Sequence, residues 1–179
     1  MTISQRIFPS GKLARAALLA AMLATTSAAW SADAASGVNP DGAMARLQHF
    51  RERASELTME ALSMLGIPYK YGGTSPETGM DCSGLIQHIF KEAWGKELPR
   101  TAKEMAHVGT KVDKKDLQPG DLVFFNTLRR SFSHVGIYLG DHKFIHAPST
   151  GSEVRIESMD ISYWKKRFNG SRRISDPEN

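Results

Sequence analysis

One cysteine and six histidines carry most of the chemistry open to this chain of 179 residues. Cys82 stands in Asp81-Cys82-Ser83-Gly84, after a glycine-rich stretch and ahead of an apolar run. A thiol attacks only as thiolate, and a helix N-terminus or a neighbouring imidazolium lowers its pKa. Asp81 is a good N-cap, so the spacing predicts Cys82 in the first turn of a helix, where that lowering would act. The alternative is an inert cysteine packed as a small hydrophobe.

His134 and His146 are the candidate partners. The pattern places them on successive strands of a hairpin, where they can be neighbours. A one-residue slip would put them on opposite faces, so the sequence leaves their register open. On a shared face, His134 could take the thiol proton and His146 could orient it, the nucleophile–base–orienter arrangement of cysteine hydrolases. His49, His88, His107 and His142 are scattered, and no HExxH motif supports a metal site, so no metal or cofactor is expected. One cysteine excludes an internal disulfide and a Cys-rich zinc site.

Those residues need elements to hold them. Residues 42–65 place Met44, Leu47, Ala54, Leu57, Ala61, Leu62 and Leu65 at three- and four-residue steps, a helix capped by Asp41 and ended by Gly66 and Pro68. Residues 69–80 are a loop. Leu85, Ile86, Ile89, Phe90 and Ala93 form the apolar face of the Cys82 helix, and a short helix is expected at 102–108. From residue 117 the period changes to that of strands: 122–125, 134–139 with Val135, Ile137 and Leu139 on one face, a Gly140-Asp141 turn, 143–147, and 154–156. Helices first and an antiparallel sheet second is the α+β order. The tail 163–173 is basic and aromatic.

The composition is ordinary for a globular protein, with 41 % hydrophobic and 23 % charged residues, which argues against disorder throughout. The net charge of +4 is scattered, without the dense basic stripe that nucleic acid would require. Arg6, Lys12 and Arg15 precede an apolar run at 16–24, shorter than the roughly 20 residues that span a bilayer. Ala32-Asp33-Ala34 then has the small-x-small form of a cleavage site, with Ser27-Ala28-Ala29 as rival. Residues 1–34 are therefore read as a signal peptide, with an uncleaved anchor as the alternative. Residues 35–56 are a lead-in and the start of the first helix, 57–173 the functional domain and 174–179 a tail. The expected product is exported, periplasmic or secreted. No cysteine lies near the end of the apolar run to take a lipid, so no stable membrane anchor is expected.

Six motifs in order make the chain similar to a known family. Tyr71-Gly72-Gly73, Asp81-Cys82-Ser83-Gly84, Leu98-Pro99-Arg100-Thr101, Pro119-Gly120-Asp121-Leu122-Val123-Phe124-Phe125, His134-Val135-Gly136-Ile137-Tyr138-Leu139-Gly140 and Phe144-Ile145-His146-Ala147 resemble the NlpC/P60 cell-wall cysteine peptidases. The ending at 159–168 resembles the Gram-negative Spr/MepS-type branch. The resemblance implies a papain-like α+β fold, Cys82 as nucleophile, His134 as general base and His146 as third polar residue. It also implies a tyrosine hydroxyl at the active site from the loop before the nucleophile, Tyr69 or its rival Tyr71. The Cys82 N–H would contribute to an oxyanion hole, with the Tyr69 hydroxyl beside it. Arg100 could hold a substrate carboxylate or fix its loop.

The expected function is a murein endopeptidase, a monomer acting on peptidoglycan through an acyl-enzyme. A regulatory adaptor or protease partner is not legible. The alternatives are a cysteine amidase or acyltransferase using another amide or ester, and a non-catalytic wall-binding module.

Overall fold

The computed structural model describes residues 40–127 and 130–175. The expected signal segment and most of the 174–179 tail lie outside the described residues. The described chain runs α1 (Pro40–Ser63), β1 (Thr74–Ser75), β2 (Gly79–Met80), α2 (Cys82–Trp94), α3 (Ala102–Met105), β3 (Thr110–Lys111), a 3₁₀ turn (Lys114–Asp116), β4 (Leu122–Phe125), β5 (His134–Gly140), β6 (Lys143–His146), β7 (Arg155–Ser158), α4 (Ser162–Lys165) and β8 (Phe168–Arg173). This is the expected α+β fold: helices, then an antiparallel sheet in the order β3-β8-β4-β5-β6-β7.

The alternation within β4, β5 and β6 sorts their side chains into two layers. Leu122, Phe124, Val135, Ile137 and Ile145 pack with Leu57 and Ala61 of α1 and with Leu85, Ile86, Ile89 and Phe90 of α2 in the main core. Val123, Phe125, Tyr138 and Phe144 face the other way, under Met159 and Trp164. The sequence-derived faces of β5 are therefore correct.

Three expectations need correction. The α1 stripe is longer than the surface that covers it. Ala54, Leu57 and Ala61 are buried, but Met44, Leu47 and Leu65 are exposed. Leu47 instead borders an open apolar groove between α1 and Pro119 and Leu139. Asp41 lies inside α1 rather than at its cap. The hairpin turn is Asp141-His142 rather than Gly140-Asp141. Gly140 pairs with Lys143, and Asp141 and His142 have φ of 48° and 58°, as a two-residue turn of inverted hand requires.

Candidate active site

The first turn of α2 is built from the loop before it. Asp81 Oδ1 accepts from the Gly84 N–H at 2.8 Å, the N-cap anticipated from sequence. Its Oδ2 accepts from the Gly72 N–H at 3.0 Å, tying the glycine-rich loop to the helix start. The Asp81 N–H is bonded to the Gly73 carbonyl. A Cβ on Gly84 would lie 2.1 Å from that same carbonyl oxygen, so only glycine lets loop and helix approach this closely.

Arg100 closes the arrangement. Its two terminal nitrogens donate to Asp81 Oδ1 at 3.0 Å and Oδ2 at 2.6 Å, and one also donates to Ser83 Oγ at 2.7 Å. Burial would raise the Asp81 carboxyl, but Arg100 and the Gly84 and Gly72 N–H groups hold it below the usual carboxylate range. These contacts join Arg100 to the Asp81 turn, and the residue also lines the groove beside Cys82.

That groove has a volume of about 770 Å³ and is bordered by Tyr69, Tyr71, Cys82, Arg100, Arg130 and Phe132. Tyr69 is half-buried, and burial followed by the charges of Cys82 and Asp81 raises its hydroxyl pKa. Tyr71 is 86 % exposed and lies on the rim, so of the two tyrosines Tyr69 is the one placed inside.

The imidazoles come from β5 and β6. The β5–β6 pairing of Ile137 with Ile145 sets Gly136 opposite His146, and so His134 diagonal to it on the same face. His134 Nε2 and His146 Nδ1 are 2.7 Å apart, which settles the register left open by the sequence. Gly136 makes room. A Cβ there would lie 2.7 Å from the Phe144 ring and 3.3 Å from His146 Cβ. Trp164 covers the pair, stacked on His134 at 5.5 Å and edge-on to His146 at 5.0 Å.

The Cys82 thiol meets the start of β5 through the Val135 N–H, the residue after His134. Among the described residues, no hydrogen bond joins the thiol to His134. Burial pushes the thiol up to about 11, against the lowering effects of the Val135 and Ser83 N–H groups and Arg100. Burial and the neighbouring His146 bring His134 down to about 3, with Glu157 opposing. Burial and Arg155 bring His146 down to about 3. Burial thus opposes the lowering that a helix N-terminus or a neighbouring imidazolium gives a thiol.

Glu157 and Trp164 were missed in the sequence. Trp164 Nε1 donates to Glu157 Oε2, and that oxygen lies 3.4 Å from His146 Nε2. The alternation in Val154-Arg155-Ile156-Glu157 marks Glu157 as strand-borne, but only the β6–β7 register brings it beside His146. Among the described residues, no cluster of three His, Cys, Asp or Glu could hold a metal ion, and no helix is long and apolar enough to cross a membrane.

A thiol on the leading turn of a helix, packed against an antiparallel sheet that carries paired imidazoles, defines a papain-like α+β domain. The profile of the NlpC/P60 family matches residues 66–173, and the chain belongs to that family. It is similar to the murein DD-endopeptidase MepH of Escherichia coli, 41 % identical over 82 % of this chain and 54 % of that protein. It is 42 % identical to the gamma-DL-glutamyl hydrolase of Bacillus subtilis over 67 % of this chain and 29 % of that one. The fold matches the crystal structure of an NlpC/P60 family protein from Bacillus cereus with a TM-score of 0.63 and 36 % identity, over 67 % of this chain and 39 % of that one. The chain thus spans about half the length of MepH and less of the other two.

Proposed function

We propose that the protein is an exported peptidoglycan endopeptidase that uses Cys82 as nucleophile, His134 as general base and His146 as orienting residue. The observation that carries this is the 2.7 Å His134–His146 pair at the head of β5, whose next residue, Val135, meets the Cys82 thiol on the groove at the α2 N-terminus.

With Nε2 engaged by His146, Nδ1 is the His134 nitrogen left to take a proton. On substrate binding, the Sγ proton passes to Nδ1 as sulfur bonds to the amide carbonyl carbon. The Cys82 N–H, with the Tyr69 hydroxyl, stabilises the oxyanion. The tetrahedral intermediate collapses, the C–N bond breaks, and His134 passes the proton to the leaving amine. His134 then deprotonates water, which adds to the thioester and releases the acid and the free thiol. A thiol raised by burial, facing an imidazole lowered by it, favours deprotonation that accompanies attack over one that precedes it.

The relatives' names point to two bonds, one at a D,D cross-link and one at a γ-glutamyl linkage. The similarity to the murein DD-endopeptidase, over 82 % of this chain, favours the D-alanyl–diaminopimelate cross-link. The test is mass spectrometry of muropeptides after incubating purified peptidoglycan with the protein, beside Cys82→Ala. Dimers converted to monomers only by the intact protein are expected. Stems shortened after the D-glutamyl residue would overturn the bond assignment. No change in the wall from a protein whose Cys82 remains reactive would overturn the substrate, in favour of another amide or ester.

A further inference from the structure

His134, His146 and Glu157 descend diagonally across three neighbouring strands on one face of the sheet. Gly136 lies opposite His146, and Arg155 is the β7 partner of His146, so each residue of the series is two positions off its direct partner. Diagonal neighbours on one face are within reach of long side chains. The first contact is the 2.7 Å His134–His146 hydrogen bond. The second is the 3.4 Å approach of His146 Nε2 to Glu157 Oε2. His146 is fully buried, and its Nε2 has no hydrogen-bond partner of good geometry. A buried ring N–H without a partner is costly, and Glu157 presents the acceptor nearest to hand.

Glu157 is itself held in place. Arg155 binds its other oxygen, Oε1, through Nε at 2.8 Å and a terminal nitrogen at 2.7 Å. The Trp164 indole donates to Oε2. These three, Arg155 on the same strand, His146 from β6 and Trp164 from α4, are the charged and polar groups facing the carboxylate.

We propose that Glu157 is a positioning residue that fixes the tautomers of both histidines and so points the lone pair of His134 at the nucleophile. An ionised carboxylate can only accept, so it selects the His146 tautomer with hydrogen on Nε2. His146 Nδ1 is then an acceptor, which selects hydrogen on His134 Nε2. His134 Nδ1 is left unprotonated, the form a general base needs. With the opposite polarity, His146 Nδ1–H would donate to His134 Nε2, and His134 Nδ1 would carry the hydrogen and be unable to take one. The two polarities of a bare imidazole pair differ little in themselves, so an acceptor-only group at one end decides between them. When His134 has taken the thiol proton, the same carboxylate favours the positive charge two contacts away.

This inference rests on the assignment of His134 as base, and its test is chosen to be independent of the wall substrate. Nitrogen NMR of the protein labelled at histidine reads the tautomers directly. Hydrogen is expected on His146 Nε2 and His134 Nε2 at pH 7. Hydrogen on His134 Nδ1 in the unmutated protein would overturn the proposal without any variant. Glu157→Gln keeps an oxygen for the Trp164 indole but can offer His146 a donor as well as an acceptor. A mixture of His134 tautomers is expected there, with kcat reduced about 10- to 100-fold at little change in KM. Glu157→Asp keeps the carboxylate and is expected to recover part of kcat and the single tautomer. A Glu157→Gln protein with intact tautomers and kcat within about twofold of the original would reduce Glu157 to a packing residue. If the protein proves inactive on peptidoglycan, the tautomers and the alkylation rate of Cys82 still decide the question.

Discussion

At the scale of single residues, burial at the site opposes the lowering that a helix terminus gives a thiol. Cys82 receives N–H contacts from Val135 and Ser83, yet burial raises its thiol to about 11. The consequence is measurable. Alkylation of Cys82 by iodoacetamide in the free protein should be slow at pH 7 and should climb with pH beyond the midpoint of an ordinary cysteine, about 8.5. A midpoint at or below 7 would mean that a thiolate–imidazolium pair forms before substrate binds. Turnover should nonetheless depend on the base: His134→Ala should lower kcat by at least about 100-fold, the usual contribution of a positioned proton acceptor. Asp81 tests the other side of the groove. Asp81→Asn keeps an N-cap acceptor but removes the charge facing Arg100. A loss of about 1–2 kcal/mol is expected, because the pair is buried on the Asp81 side only. Its urea unfolding midpoint, with the slope unchanged, is the check.

At the scale of elements, local pattern and long-range pairing part company. The Cys82 helix was legible because each cue is local: Asp81 before the turn and apolar residues at helical steps, while the Gly95 C-cap after Trp94 went unread. The β5–β6 hairpin was legible for the same reason. The tail was not. Phe168–Arg173 has little alternation and is only partly buried, yet β8 lies between β3 and β4, far from both in sequence. What seats it there is a pairing that composition does not display. Asp121, 1 % exposed, takes two hydrogen bonds from Arg173 at 2.8 Å each. The Pro-Gly-Asp turn read from sequence is therefore also an anchor for the last strand. Glu157 was illegible on similar grounds, since its place beside His146 depends on β6–β7 register. Where the chain folds close upon itself, glycine carries the information. Gly84→Ala should improve helix propensity by about 1 kcal/mol and still destabilise the protein, because the new Cβ meets backbone rather than a movable side chain. A melting temperature at or above that of the original would show that the loop at Gly73 can yield. A lowered one, with slowed turnover in the folded fraction, is expected.

At the scale of the whole molecule, the buried titratable groups set a window of stability in pH. Both imidazoles have folded-state pKa values depressed to about 3, against about 6.5 in an unfolded chain. Between these values the unfolded chain binds more protons than the native one. Stability is then fully present above about 6.5 and falls as pH falls, by up to about 1.4 kcal/mol per pH unit for each imidazole. The thiol acts in the opposite sense. Its folded-state pKa of about 11 exceeds the unfolded value of about 8.5, so the native state holds a proton the unfolded chain has lost. That contribution is present below about 8.5 and is lost as pH rises towards 11. The same desolvation of these buried groups thus places maximal stability between about 6.5 and 8.5, with an acid limb owed to the sheet and a shallower alkaline limb owed to α2. Thermal melts from pH 4 to 10 should trace both limbs. His134→Phe should flatten the acid limb by about half, since one of two chargeable rings is gone. Cys82→Ala should leave the acid limb alone and remove the thiol's share of the alkaline one. An acid limb unchanged in His134→Phe would mean that the Asp81 carboxylate, held low by Arg100, rather than the paired imidazoles governs the response to acid.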